Sequence, residues 1–300
     1  MRTQSVLQFL PLLGAARGAR ILQSNDDGWA ELYIRSLHDA LIAAGHDAVV
    51  SAPAENQSGK GSSDEEPEPR EDPCQYDSCP ADSGPVGSNA TDPRLNWVNS
   101  FPVTSVKYGL STFGPQVWGD EAPPDLVVTG PNVGSNLWLA VPFSGTVGAA
   151  VEAAHNQGIP ALAFSGADSG TLRWDTSPVP ARSSVYAELA TTLTNRILDA
   201  GAPYLPDDVF LNVNFPGLTD ECATAADFQW VLSRINPGIV SDPDVETCGD
   251  DRLPTETDVI NSDGCFASIS VGDASDKTTA PAEKQAVVLE KLGDFLTCLE

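Results

Sequence analysis

Short apolar strands alternate with a helical segment at the start of this chain, and this alternation restricts the fold more than any other feature. Residues 19–24 and 47–51 are apolar enough for buried strands, and residues 30–44 between them repeat apolar side chains with a helical period. A strand, a helix and a second strand in this order are typical of a parallel sheet covered by helices. The chain is therefore predicted to have an α/β fold.

The alternation continues to about residue 216. Further helices are predicted at about 103–110, 146–157 and 185–198, and further strands at 125–129, 159–165 and 209–213. The pattern predicts a doubly wound, mainly parallel, Rossmann-like α/β domain over residues 19–216.

The rhythm weakens after Pro216. Residues 217–300 are predicted to form a smaller, disulfide-containing extension packed on the same domain. Its predicted elements are strands at 228–235 and 265–271 and a final helix at about 283–296. A second departure is the segment 62–96, whose Ser, Pro, Gly, Asp and Glu content predicts a solvated insertion, either bare surface or a lid.

The six cysteines indicate disulfides, because an even number in an exported chain is usually paired. Neighbourhood in the sequence suggests the pairs Cys74–Cys79, Cys248–Cys265 and Cys222–Cys298. Zinc is the competing interpretation, but the chain has no paired two-spaced Cys motif.

The N-terminus has the layout of a signal peptide. Arg2 precedes an apolar run at 6–13 that ends in the small residues 14–16, which predicts cleavage after residue 16, or by about 19, and secretion. The run is too short to span a membrane, and the alternative is a cytosolic protein with an apolar N-terminus. Sequons at Asn56 and Asn89 suit an exported glycoprotein.

The charge of the chain excludes one class of partner. Lys and Arg number 16 against 42 Asp and Glu, a formal net charge of -26 at pH 7. Duplex nucleic acid is therefore not an expected partner, since phosphate backbones are bound by clustered basic residues. No membrane partner is expected either. A small phosphorylated substrate remains compatible, because a bound metal can reverse the local field.

Polar loops follow three of the predicted strands. Asp26 and Asp27 follow the first strand, Ser58 follows the second, and the segment 130–136 follows the strand at 125–129. In open α/β sheets ligands bind beyond the carboxyl ends of strands, so these loops are expected to meet. Adjacent acids on a turn are more often solvated or capping residues, but here their oxygens suit Mg²⁺, Mn²⁺ or Ca²⁺.

Several other sites lack support in the sequence. No G-x-G-x-x-G follows the first strand, no Walker loop is present, and no G-x-S-x-G elbow appears. The three histidines lack the spacing of a metal pair, and His38 and His46 are expected at the surface.

Taken together, the loops resemble the SurE family of metal-dependent nucleotidases and acid phosphatases, especially its secreted fungal-type members. The resemblance depends on residues 21–28, on Ala52-Pro53 followed by residues 58–62, and on residues 124–166, which include GPNVGSN and FSGTVGAAVEAAHNQGIPALAFSG. It covers residues 19–216 well and the C-terminal residues poorly.

The resemblance implies metal-dependent hydrolysis of phosphomonoesters, with nucleoside monophosphates as the expected substrates and a metal-activated water as the nucleophile. It implies one divalent cation, Mg²⁺ or Mn²⁺ with Ca²⁺ as the alternative, and a homodimer completed by exchange of C-terminal elements. The implied metal ligands are Asp26, Asp27, Ser58 and Asn132, with Asp26 and Asp27 also catalytic. The implied phosphate-binding residues are Asn136, Ser144, Gly145 and Thr146.

One departure from the family concerns the wall of the predicted site. Residues 138–140 are Trp-Leu-Ala where family members commonly carry Gly and Asp, which makes this wall more apolar. The rival hypothesis from another class is a non-catalytic secreted protein that keeps the metal or phosphate site for binding.

Overall fold

Over residues 18–119 and 123–299, which the computed structural model describes, ten strands form one sheet. In chain order they are β1 (Arg20–Ser24), β2 (Asp47–Pro53), β3 (Val86–Ser88), β4 (Leu95–Val98), β5 (Leu126–Val133), β6 (Ala161–Gly166), β7 (Val209–Phe215), β8 (Gln229–Ser233), β9 (Phe266–Asp273) and β10 (Leu296–Thr297). The α-helices of the same part of the chain are α1 (Leu32–Ala43), α2 (Pro102–Tyr108), α3 (Gly114–Trp118), α4 (Gly145–Val151), α5 (Ala181–Asp199), α6 (Glu256–Asn261) and α7 (Ala282–Leu292).

The strand order is β10-β8-β9-β7-β6-β5-β1-β2-β4-β3. Neighbours are parallel except β3 with β4 and β7 with β9. Side chains alternate between the faces of β1: Ile21 packs with Tyr33 and Leu37 of α1, whereas Leu22 packs with Val147 of α4. Helices thus cover both faces, and the predicted doubly wound, mainly parallel α/β fold is confirmed.

The polar insertion is more structured than the sequence indicated. Within 62–96, β3 and the first half of β4 form the outer edge of the sheet, and the Cys74–Cys79 disulfide is buried. Buried Arg70 donates to Glu55 Oε1 at 2.6 Å. Most side chains of the segment are nevertheless exposed, so the prediction of a solvated insertion holds for much of it. Local composition does not register the ion pair and the disulfide that anchor it.

The C-terminal extension continues the sheet. Strand β9 runs antiparallel to β7, with Val213 opposite Ile269, and β8 and β10 lie beyond it. Helix α7 ends at Leu292, four residues before the predicted end, because Gly293 adopts a φ of 49° and stops the helix.

Two of the three predicted disulfide pairs are wrong. Cys74–Cys79 is present, but Cys222 pairs with Cys265 and Cys248 pairs with Cys298. The physical reason is the topology: β10 lies beside β8, which brings the chain end next to the loop that follows β8. The two closed loops interleave along the chain, since Cys248 lies inside the 222–265 loop and Cys298 outside it.

We expect the double variant Cys248→Ser, Cys298→Ser to lose about 4 kcal/mol of unfolding free energy. The bond joins residues separated by 50 positions, and a loop of this length restricts the unfolded chain by about that amount. Denaturant unfolding of the variant and the wild type measures the difference. The matched control, Cys74→Ser with Cys79→Ser, removes a disulfide whose cysteines are separated by only 5 positions. Since its closed loop is short, the control should lose less unfolding free energy. Equal losses would contradict the expectation.

The predicted signal peptide, residues 1–16, lies outside the described residues. Among the described helices, none has the length and apolar character needed to cross a membrane. His38, expected at the surface, is buried on α1, where Nδ1 lies 3.0 Å from Gln23 Oε1. Burial lowers the pKa of His38 to about 4.

Candidate active site

The two adjacent aspartates lie in a tight turn directly after β1. The turn is closed by Asn25, whose Nδ2 donates to the Gly28 carbonyl at 3.1 Å and whose Oδ1 accepts from the Gly28 amide at 3.2 Å. Gly28 has a φ of 105°, and a Cβ there would stand 2.1 Å from Gln75 Oε1. Asp26 and Asp27 are each only 2% exposed. The turn therefore holds two carboxylates side by side and almost entirely out of water.

The start of α4 holds Asp26. Thr146 Oγ1 donates to Asp26 Oδ1 at 2.5 Å, and the Gly145 amide donates to Oδ2 at 3.1 Å. A Cβ at Gly145 would lie 2.7 Å from Asp26 Cβ, so this close approach requires glycine. Two of the residues expected to bind phosphate thus donate to a carboxylate, and their phosphate-binding role stays a prediction.

Asp27 is held from both sides of the turn. The Val133 amide donates to Oδ2 at 2.8 Å, while Ser58 Oγ at 3.4 Å and Asn56 Nδ2 at 3.3 Å approach Oδ1. Ser58 is therefore beside the aspartates, as the strand-end argument predicted. Asn56 was considered only as a glycosylation sequon, yet the nitrogen that a glycan would modify contacts this carboxylate.

Asn132 lies in β5, where the register with β6 shifts between Thr129 and Asn132. Its Nδ2 donates to the Gly134 carbonyl at 2.5 Å, so the amide oxygen is the atom that would bind a cation. Together with Asp26, Ser58, Asn136 and Ser144, Asn132 lines an open cleft of about 260 Å³ at the carboxyl ends of the strands. Five of the eight predicted site residues thus line one cleft. Asp27, Gly145 and Thr146 are not part of its lining and are joined to those residues by the hydrogen bonds given above.

The electrostatics of the carboxylate pair are unusual. Burial raises the pKa of Asp26 above its ordinary 3.8, and burial together with the Asp26 charge raises the pKa of Asp27 well above it. In the described part of the chain, no Lys, Arg or His forms an ion pair with either aspartate. Two buried acids without a cationic neighbour are costly unless a positive charge is supplied.

The donor set fits a hard divalent cation. Two carboxylates, the Ser58 hydroxyl and the Asn132 amide oxygen are all oxygen ligands, which Mg²⁺, Mn²⁺ and Ca²⁺ prefer. The described residues contain no cluster of three or more His, Cys, Asp or Glu side chains placed to hold a metal, which is consistent with a site that has only two acids.

Asn136 is anchored by strand β7. The Asn136 amide donates to Asn214 Oδ1 at 2.8 Å, and its carbonyl accepts from Asn212 Nδ2 at 2.9 Å and Asn214 Nδ2 at 3.1 Å. The Asn136 side chain donates to Ser165 Oγ at 2.8 Å. Sequence reasoning missed both β7 asparagines. The signal was present, because two Asn at i and i+2 in an otherwise apolar strand place buried polar groups on one face.

The rim of the cleft is apolar. Ser144 caps α4, accepting from the Val147 amide at 3.1 Å. Just before it, a 3₁₀ segment, Trp138–Phe143, carries large side chains that stay exposed, with Trp138 at 47%, Leu139 at 66% and Phe143 at 68%. Phe143 lines the cleft itself. Of the wall expected at 138–140, only Ala140 lines the cleft, next to Phe143.

The sequence is similar to those of known proteins. A family model described as Survival protein SurE matches residues 21–235. An acid phosphatase of Yarrowia lipolytica is 32% identical in an alignment of 281 residues that covers 84% of this chain and 78% of that protein. A 5'-nucleotidase SurE of Thermosynechococcus vestitus is 38% identical in an alignment of 203 residues that covers 66% of this chain and 64% of that protein.

The fold is also similar to that of a solved structure. The crystal structure of the SurE protein from Aquifex aeolicus superimposes with a TM-score of 0.58 over 85% of this chain and 93% of that chain, at 23% identity. The family model covers most of the chain, and the Yarrowia relative extends the match into the C-terminal extension. The chain belongs to the SurE family.

Proposed function

We propose that the protein hydrolyses phosphomonoesters, with nucleoside monophosphates as its main substrates, and that it requires one divalent cation. The observation that carries the proposal is the pair of buried aspartates, without a cationic partner in the described residues, at the end of a cleft that also offers hydroxyl and amide oxygens. The relatives named acid phosphatase and 5'-nucleotidase support the same reaction class.

Asp26, Asp27, Ser58 and Asn132 would hold the cation. When bound, such a cation neutralises phosphoryl oxygens and lowers the pKa of a water. Thr146 and Gly145 fix the Asp26 carboxylate, so its oxygens need no reorganisation during the reaction.

The remaining residues bind phosphate and move a proton. The side chains of Asn136 and Ser144 line the cleft and would donate to the phosphate oxygens. Asp27 Oδ1 is the atom to which we assign the proton of the attacking water, because its two contacts, at 3.3 and 3.4 Å, are long and leave it available.

The test is phosphate release from a panel of mononucleotides and an aryl phosphate by protein lacking residues 1–16. Each substrate is assayed with Mg²⁺, with Mn²⁺ and with a chelator. Release that depends on the cation supports the proposal. A folded protein that binds the cation but releases no phosphate would instead be a binding protein.

We also propose that the protein is secreted. The described residues contain three disulfides that together use all six cysteines of the chain. Disulfides persist mainly in oxidising compartments. The test is to express the protein with its own residues 1–19 and to measure how much of it is found in the medium and how much in the cells.

The apolar rim favours substrates with an aromatic leaving group. We expect Phe143→Ala to lower kcat/KM for a nucleoside monophosphate by about fivefold, because stacking of a base on an aromatic side chain contributes about 1 kcal/mol or more. For glycerol phosphate, which has no ring, the same variant should match the wild type. Steady-state kinetics with both substrates measure this difference. Ile42→Ala, an exposed apolar residue at the far end of α1, is the control. Equal losses for both substrates would contradict stacking.

A further inference from the structure

The first residue of α6, Glu256, is a buried acid outside the cleft. Its side chain is fully buried, although it belongs to the C-terminal extension and lies far along the chain from the catalytic loops. The start of α6 is capped by a different pair: Thr255 accepts from the Asp258 amide at 3.1 Å, and Asp258 Oδ2 accepts from the Thr255 hydroxyl at 2.6 Å. Capping of the helix therefore does not explain why an acid is retained at position 256.

The carboxyl of Glu256 is connected to the cleft through one amide. Asn212 Nδ2 donates to Glu256 Oε1 at 2.6 Å and to the Asn136 carbonyl at 2.9 Å. Both hydrogens of one side chain are thus used to join α6 to the segment that carries Asn136. Removal of either acceptor would leave a buried donor without a partner.

Trp138 and Ser270 also lie close to this carboxyl. The Trp138 backbone amide and the Ser270 hydroxyl approach it without forming a hydrogen bond of good geometry. Trp138 has a φ of 38°, a left-handed conformation that is uncommon for a residue with a large side chain. Such a conformation persists when the surroundings hold the backbone in place.

From these contacts, we infer that Glu256 is a positioning residue for catalysis, which fixes the segment 136–138 so that Asn136 meets the phosphate of the substrate. It acts on Asn136 through Asn212, and it does not touch the substrate. The inference rests on the proposed function, because that function gives Asn136 its phosphate.

The burial of Glu256 is consistent with a role in holding its neighbours in place. It raises the pKa of Glu256 to about 8, so the carboxyl is largely neutral at pH 7 and acts as an acceptor and not as a charge. Oε2 makes no hydrogen bond of good geometry within the described residues. A neutral amide of the same shape should therefore replace it.

The experiment compares Glu256→Ala with Glu256→Gln. We expect Glu256→Ala to lower kcat/KM by about 10- to 100-fold, because small displacements of a positioning group have effects of this size. It should also weaken the binding of inorganic phosphate, measured by calorimetry in the presence of Mg²⁺. Glu256→Gln should stay within about threefold of the wild type, since it keeps the acceptor oxygen for Asn212. Affinity for Mg²⁺ should not change in either variant.

The matched control is Gln285→Ala. Gln285 is equally buried in the same extension and bonds to Asp244 and the Ala280 carbonyl, so its loss tests stability without a link to the cleft. It should keep the wild-type kcat/KM. If Glu256→Ala does not fold, Glu256→Asp, which withdraws the carboxyl from Asn212 by one methylene, is expected to show the loss.

Two results would overturn the inference. One is wild-type phosphate affinity and kcat/KM in folded Glu256→Ala, or in Glu256→Asp where the Ala variant does not fold. The other is an equal loss in Glu256→Gln and Glu256→Ala. Absence of phosphate release from the wild type with every cation would instead refute the proposed function, and phosphate affinity would still test the role of Glu256.

Discussion

We expect phosphate release to fall by about a thousandfold or more when Asp26 is replaced by Asn. A bound cation supplies several kcal/mol of transition-state stabilisation, and each 1.4 kcal/mol corresponds to about tenfold in rate. The amide can still accept from the Gly145 amide and donate to the Thr146 hydroxyl, so the turn should keep its shape. Initial rates with a mononucleotide and saturating Mn²⁺ measure the loss.

Stability distinguishes loss of chemistry from loss of fold. Without a cation, Asp26→Asn should unfold at the same or a higher denaturant concentration than the wild type, because it removes a buried acid that has no cationic partner among the described residues. Asp39→Asn, the same change on the exposed side of α1, is the control and should be fully active. Cation-dependent release above a tenth of the wild-type rate would remove Asp26 from the site.

A second large effect is expected on stability between pH 6.5 and pH 8. Burial raises the pKa of Glu31 to about 7 and the pKa of Glu256 to about 8, against an ordinary value of 4.5. Between its ordinary pKa and its folded pKa, each glutamate holds a proton in the folded protein that it has released in the unfolded chain. The free energy of unfolding therefore falls by about 1.4 kcal/mol per pH unit for each group, up to about pH 7 for Glu31 and about pH 8 for Glu256.

His38 acts in the opposite direction at lower pH. Its folded pKa of about 4 lies below its ordinary 6.5, so between these values the unfolded chain binds more protons and stability rises with pH. Above pH 6.5 this contribution ends. The two glutamates then give a loss on the order of 3 kcal/mol by pH 8.

Urea unfolding at several pH values, with saturating Mg²⁺ to keep Asp26 and Asp27 ionised, measures the slope. Glu256→Gln should flatten it between pH 7 and pH 8, and Glu31→Gln should flatten it below pH 7. A wild-type slope of zero across this range, or an unchanged slope in both variants, would contradict the assignment.

The fold was predictable where local pattern and tertiary structure agree. The apolar run of β1 and the helical period of α1 identify the first unit without further information. Strand β5 extends beyond its predicted end to Val133 because Asn132 pairs with Ser165 after a register shift, although Gly130 and Pro131 normally interrupt strands. Strand β3 was not predicted, because a short polar strand at the edge of a sheet forms through its hydrogen bonds to the neighbouring strand and has no apolar pattern of its own.

The site was predictable to the extent that its residues follow strands. Asp26, Ser58 and Asn132 each lie at or after the carboxyl end of a strand, so sheet topology alone brings them together. Glu256 reaches the same region only because β9 runs antiparallel to β7 and α6 packs beneath it, and no local pattern records that path. The two disulfide pairs predicted in the C-terminal extension were wrong for the same reason, because no local pattern records which strands lie side by side.

The Cys222–Cys265 disulfide gives the extension a property that its order of strands and helices does not. Ile239 and Val240 are 88% and 98% exposed, in a loop between Cys222 and Cys248 that offers a protease easy access. A cut there would separate the polypeptide into two pieces that remain joined through Cys222–Cys265. The cleaved molecule would therefore stay covalently joined, with β8 and β9 still side by side, until this disulfide is reduced.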